Sequence, residues 1–307
     1  MDTEVRAGDE HAAIDRTNAA APFPALEQIT AVIVTYNSAH CAHDLGQQLR
    51  VWPHVLVVDN GSTDDTVAQF QQHVPQAQIL AQSQNEGFGA ANNRALEVVT
   101  TPYAFLMNPD CVVRAADAQA LWDSAQAWPD AAILVPQLTR AKGQLQVNYG
   151  WVRHWWESKG PGASGPACVG NACGAAMLFR LSAMPTRQWF DTRFFLYYED
   201  EDLCLRLLQE GRPVIIDPAV RVVHANRGSV RGPQPWRVEF FRGKHHAISK
   251  VLFTAKHIGE QEARQQRRSA LRNAMALFAL RLLAPSPKHL CRLAGRISGL
   301  WQAPVRY

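Results

Sequence analysis

The six cysteines of this 307-residue chain (41, 111, 168, 173, 204 and 291) include no CxxC pair. That pattern excludes a zinc ribbon or a redox dithiol and reads as reduced thiols in a cytosolic protein. Long apolar runs are also absent. The longest, Ala274–Leu280, stops at Arg281, well short of the roughly 20 apolar residues a membrane span needs. Residues 1–28 mix acids, alanines and prolines, without a basic segment leading into an apolar core. They read as a disordered leader, not a secretory signal. Acids are scarce at the other end. Between Arg237 and Tyr307 there are fourteen Lys and Arg against three Glu, a net +11 in a chain whose total is +4, so the preceding residues carry −7. A basic tail on an acidic body predicts contact with an anionic surface.

What the chain does have is concentrated acid. Glu199–Asp200–Glu201–Asp202 follows the aromatic run Phe194–Tyr198 directly. Carboxylates against apolar walls lose solvation, which raises a pKa in the way a general base needs. The same cluster also suits a plain helix start, where acids favour the first turn. His224 lies 22 residues after Asp202, at the end of a Val-rich segment, and Asn108–Pro109–Asp110 closes another apolar run. Together they suggest a divalent cation on a diphosphate and a carboxylate that activates a hydroxyl.

Residues 31–113 alternate strand and helix patterns. Ala31–Thr35, Val55–Val58, Gln78–Leu80 and Tyr103–Met107 read as strands. Ser38–Val51, Thr63–His73 and Gly87–Val99 read as helices, the second capped by Ser62 or Thr63. Unbroken apolar strands predict a largely parallel sheet covered on both faces, with ligands at the strands' carboxyl ends. Tyr36–Asn37, Asp59–Asn60 and Asn108–Pro109–Asp110 stand at three such ends, although Asn and Asp are also ordinary turn residues. Farther on, Tyr149, Trp151, Trp155 and Trp156 precede a Gly/Pro stretch at 160–166, which fits an aromatic platform with a lid or a surface excursion. Strands are expected at Ala172–Arg180, Val214–Ile216 and Val220–His224, with a helix at Glu201–Glu210 closed by Gly211. His245–His246 reads as a surface pair. Leu271, Ala274, Met275, Phe278 and Leu282 form an apolar stripe behind Arg264, Arg267, Arg268 and Arg272. This fits an interfacial amphipathic helix or a helix packed on the rest of the protein.

The blocks Val32–Ser38, Val57–Asp64, Asn85–Asn92, Leu106–Asp110, and Phe190–Asp191 through Tyr198–Cys204, closing with His224 and Ser229, resemble family 2 inverting glycosyltransferases. The likeness spans roughly residues 30–230, and the Asn-Pro-Asp and Tyr-Tyr-Glu-Asp-Glu-Asp-Leu forms look most like the rhamnosyltransferase-like subgroup. The resemblance implies an α/β GT-A fold, with a Rossmann-like nucleotide half, an acceptor half and a mixed central sheet, over residues 29–235. Residues 236–307 would be a helical, basic, membrane-associating extension.

Carried over by position, Thr35, Tyr36 and Asn37 line the nucleoside pocket, Asp59 bonds the pyrimidine, and Asn60, Asp64, Asn85, Gly87 and Asn108 serve the donor. Asp110 ligates Mg²⁺ or Mn²⁺ with His224 completing the site, and Asp200 is the base with Glu199 and Asp202 shaping its field. Many relatives carry two acids where this chain has Asn108–Pro109–Asp110, so its metal site has less charge. The implied enzyme moves rhamnose from dTDP-rhamnose, or a hexose from a UDP-sugar, onto a cell-surface polysaccharide or lipid-linked glycan at the inner face of the cell membrane. Two other classes fit less well. A nucleotidyltransferase would need a glycine-rich loop where Tyr36–Asn37–Ser38–Ala39–His40 stands, and a non-catalytic nucleotide-sugar-binding protein would not need Asp110, Asp200 and His224 together. The basic tail lacks interleaved aromatic platforms, so nucleic acid is not the expected partner.

Overall fold

The computed structural model describes residues 23–151, 161–184, 189–225, 228 and 235–307. In chain order these form β1 (Ile29–Thr35), α1 (Ala42–Leu49), β2 (Val55–Asp59), α2 (Thr66–His73), β3 (Gln78–Ala81), α3 (Phe88–Val98), β4 (Tyr103–Met107), β5 (Cys111–Val112), α4 (Ala115–Ala127) and β6 (Ile133–Thr139). There follow β7 (Leu145–Gln146), β8 (Tyr149–Gly150), β9 (Ala167–Val169), β10 (Asn171–Ala172), β11 (Ala176–Arg180), α5 (Glu199–Gln209), β12 (Val214–His224), α6 (Pro235–His257), α7 (Glu260–Leu283) and α8 (Pro287–Gln302).

The main sheet runs β3-β2-β1-β4-β11-β6-β12-β5. Its first four strands are parallel, and β11 then enters antiparallel between β4 and β6. Successive side chains of β1 serve opposite cores, as strand geometry requires. Ala31 and Ile33 meet α1, α2 and α4 on one face, and Val32 meets α3 and α5 on the other. Burial on both faces explains why these strands read as continuous apolar runs.

Several expectations shift. The strands expected at 214–216 and 220–224 are one strand whose register slips between Asp217 and Arg221, where Pro218 cannot donate to the ladder. The run 172–180 breaks at Cys173–Ala175. Ser62 and Thr63 do not cap α2; the Asp64 carboxylate accepts the Thr66 amide at 3.1 Å. Tyr149 is no platform. It is fully buried, donates to Gln137 Oε1 at 3.1 Å and accepts from the Ala163 amide at 2.6 Å. The leader's first 22 residues, Trp155, Trp156, Gly160 and Ser229 lie outside the described residues.

The basic C-terminal helices pack onto the α/β layers. Leu252 and Phe253 of α6 join Phe194 and Leu205 in one apolar cluster. Helices α6 and α8 touch backbone to backbone: a Cβ on Gly243 would lie 2.2 Å from the Arg292 carbonyl, and one on Gly295 would lie 2.0 Å from that of Phe240. The stripe on α7 divides. Leu271 and Ala274 pack against α6 and α8, while Met275 and Leu282 stay exposed.

Candidate active site

A cavity of about 710 Å³ opens where β1, β2 and β4 end, facing α5 and α6. It brings together eleven of the residues singled out from the sequence: Thr35, Tyr36, Asn37, Asn60, Asn85, Gly87, Asn108, Asp110, Glu199, Asp200 and His224. Asp59, Asp64 and Asp202 do not reach it. Asp59 is buried behind the wall, accepting from the Thr35 hydroxyl at 3.1 Å and the Ser62 amide at 3.0 Å. It therefore orients the cavity residue Thr35. Asp64 is exposed beside α2.

Short polar links hold the strand-end wall. Asn60 donates to Asn85 Oδ1 and to the Gly87 carbonyl, both at 3.1 Å, and accepts the Glu86 amide at 2.9 Å. Asn37, at φ 51°, accepts the Thr63 amide and donates its own to Ser62. Gly87 has φ 98°, and a Cβ there would sit 2.4 Å from the Phe195 carbonyl. Only glycine lets the 195–198 segment cross α3's start so closely.

Asp110 and His224 meet at one edge, with Oδ1 3.5 Å from Nε2. The Gly228 amide donates to the other carboxylate oxygen at 2.8 Å. Burial works to raise the Asp110 pKa, but His224 and the Gly228 amide outweigh it and hold the carboxyl below its ordinary value. Asp110 Oδ1 and His224 Nδ1 are buried with no hydrogen-bond partner among the described residues. An ionised carboxylate with an orphaned oxygen beside an imidazole fits a divalent cation. Cys111 stands within the same cluster. Burial, then the Asp110 charge, push its thiol well up, and it donates to the Ala175 carbonyl at 3.2 Å.

Across the cavity, the four acids of α5 take separate paths. Asp200 faces the opening, accepting the Gly174 amide at 2.7 Å on one oxygen and the Glu201 amide at 3.0 Å on the other. Burial, then the Asp200 charge, push Glu199 and Glu201 well above the ordinary carboxyl range. Both carboxyls are thereby biased toward the protonated form. Asp202 is fully buried and turned away, held by Lys256 Nζ at 2.6 Å, His257 Nε2 at 2.7 Å and Arg206 Nε at 2.9 Å. It fastens α6 to α5 rather than lining the site. Just before α5, Tyr197 and Tyr198 both adopt left-handed φ near 70°. Such backbone costs about 1–3 kcal/mol per residue and persists only where its surroundings enforce it. Here Ser249 donates to the Leu196 carbonyl at 2.9 Å, and His246 contacts both tyrosine rings. His245–His246 is thus not a surface pair; burial is the main cause pushing both rings down to about 4.

Phe195 and Tyr197, from the aromatic run before the acids, stand on the cavity wall, where Gly174, Arg237, Phe241, Arg242 and Arg292, missed in the sequence, join them. The α8 contribution had one available signal, the Gly295-xxx-Gly299 spacing, which marks close helix packing.

The strand-end nucleotide half and the carboxylate on the opposite wall define a glycosyltransferase of the GT-A type. The description Glycosyl transferase family 2 matches residues 30–183, and the chain belongs to that family. It is 28% identical over 256 residues, covering 73% of this chain and 81% of the relative, to an N-acetylglucosaminyl-diphospho-decaprenol L-rhamnosyltransferase of Mycobacterium tuberculosis. Two solved structures share the fold. The mannosyltransferase PcManGT from Pyrobaculum calidifontis, in complex with GDP-Man and Mn2+, has TM-score 0.53 at 16% identity, covering 90% of this chain and 87% of that one. S. aureus TarS 1–349, in complex with UDP, has TM-score 0.50 at 13% identity, covering 90% and 91%.

Proposed function

We propose that this glycosyltransferase moves rhamnose from dTDP-rhamnose, with inversion, onto a lipid-linked glycan. The observation that carries the reading is the convergence of Asp110, His224 and Asp200 on one cavity whose floor is the strand-end asparagines. Asp110 and His224 would hold Mn²⁺ or Mg²⁺, which when bound supplies Lewis-acid neutralisation of the departing diphosphate.

Thr35, Tyr36, Asn37, Asn60, Asn85 and Asn108 would hold the nucleotide, with Asp59 fixing Thr35. Asp200 would accept the proton of the acceptor hydroxyl as its oxygen bonds the anomeric carbon and the carbon–oxygen bond to the nucleoside diphosphate breaks. Burial and the neighbouring Asp200 charge hold Glu199 and Glu201 above the ordinary carboxyl range, and Asp202 is tied up by Lys256, His257 and Arg206, which leaves Asp200 as the carboxylate of that turn facing the cavity. One in-line displacement with one base inverts the anomeric centre.

The relative's lipid diphosphate acceptor supports a similar acceptor here. No helix among the described residues is long and apolar enough to cross a membrane, so the acceptor would be met by docking. The basic C-terminal helices suit the anionic inner face of the cell membrane.

The test is donor hydrolysis and thermal shift across a nucleotide-sugar panel, with and without Mn²⁺ or Mg²⁺. A metal-dependent response to dTDP-rhamnose above the others is expected. A stronger response to a UDP-hexose would replace the donor, and a response indifferent to metal would remove Asp110 and His224 from that role.

A further inference from the structure

A second hollow, of about 320 Å³, lies where α6, α7 and α8 cross, walled by Gly243, His246, Leu277, Arg281, Arg292 and Arg296 among others. Arg292 borders both this hollow and the active-site cavity. Glu239 offsets part of the charge, 3.2 Å from Arg242 and 3.7 Å from Arg292. Among the described residues no carboxylate pairs with Arg281 or Arg296. The hollow is electropositive: burial, then Arg296, Lys250 and Arg292, keep His246 neutral at physiological pH. Guanidinium forks match phosphate oxygens in pairs. The glycine contacts between α6 and α8 fix the backbone at Arg292 and Arg296, so both side chains start from set positions on the hollow's wall.

One wall continues outward as bare hydrocarbon. From Leu277 the end of α7 exposes Leu280, Leu282 and Leu283, the last 83% accessible.

We propose that this hollow binds the diphosphate of a polyprenyl diphosphate-linked acceptor. The isoprenoid leaves along the apolar end of α7 into the bilayer, and the glycan passes Arg292 toward Asp200. The assignment rests on the lipid-linked acceptor reading and adds a site on the C-terminal helices.

The test is flotation of the full chain, without divalent cations so that Asp110 does not report. Vesicles carrying undecaprenyl diphosphate are compared with phosphatidylglycerol vesicles of equal charge. Wild type is expected to prefer the diphosphate vesicles about tenfold, two or three well-placed side chains being enough for such a difference. Arg281→Ala/Arg296→Ala should lose the preference, and Leu280→Asp/Leu283→Asp should lose binding to both lipids. If the arginine pair destabilises the fold, Arg281→Glu, at an exposed position, should still reduce the preference. No preference in wild type, or an unchanged preference in folded arginine variants, overturns the proposal. So does inorganic pyrophosphate binding as tightly as the lipid, which would make this a site for a soluble diphosphate. A preference for the diphosphate lipid alongside no dTDP-rhamnose turnover keeps the site and removes the proposed donor; turnover without the preference does the reverse.

Discussion

The two walls of the active-site cavity are built differently. On the strand-end wall, Asn37 bonds residues 25 and 26 positions away and Asn60 those 25 to 27 away, from βαβ units next to one another in the chain, and each stands one or two residues past an apolar strand. The opposite wall draws on the C-terminal helices: Ser249 holds Leu196 from 53 residues away, and Arg292 arrives from the far end of the chain. The first wall sets its asparagines by strand ends and by side-chain bonds between neighbouring strand–helix units. The second depends on α6 and α8 being docked, so binding of acceptor and stability of the C-terminal helices are coupled.

The sharpest break between the walls comes from single substitutions. On the strand-end wall, Asp110→Ala should lower kcat by about 10³-fold or more, a change of about 4 kcal/mol, while Asn108→Ala should cost no more than about tenfold. Steady-state rates at saturating donor check this, and equal, mild effects would take Asp110 out of the metal site. On the far wall, Asp202→Asn should act on stability, unfastening α6 at a cost of about 3 kcal/mol, since it leaves Lys256 and Arg206 partly unpaired in a buried place. Chemical denaturation would show it.

A smaller effect separates the acids by sign. Burial acts upward on Asp202 and Asp191, but His257 and Lys256 at Asp202, and Lys256 and Arg193 at Asp191, prevail and lower both pKa values. The stability they give is complete above the unfolded value near 3.8 and is lost as pH falls through the lower folded values. Glu199 and Glu201 are raised, so their protonated native forms lose stability progressively as pH climbs above 4.5. Glu199→Gln should therefore flatten the decline in melting temperature between pH 5 and 8 (about the range where raised carboxyls titrate). An unchanged slope would mean Glu199 is ionised. Gly243→Ala, which forces α6 from α8, should cost about 1–3 kcal/mol by overpacking; full stability there would mean the helices are not pressed together.

This contrast also explains what the sequence made legible. Asn37, Asn60, Asn108 and Asp110 could be found because a strand end and a turn residue are adjacent in the chain. The roles within Glu199–Asp202 could not be separated from spacing. Asp200 and Asp202 differ only in which way one helical turn faces, and Lys256 and His257, which claim Asp202, lie more than 50 residues away. Asp59 stood at the right strand end, but its oxygens go to Thr35 and Ser62. The apolar stripe on α7 read as a single face, although Leu271 and Ala274 pack against α6 and α8 while Met275 and Leu282 are exposed.

The central claim is that Asp110 serves the donor and Asp200 the acceptor's proton. Donor affinity and turnover measured together on Asp200→Asn test it most directly. Donor binding equal to wild type, with kcat lower by about 10²–10⁴-fold, is the expected result. Retained turnover would contradict it and move the base elsewhere on the first turn of α5.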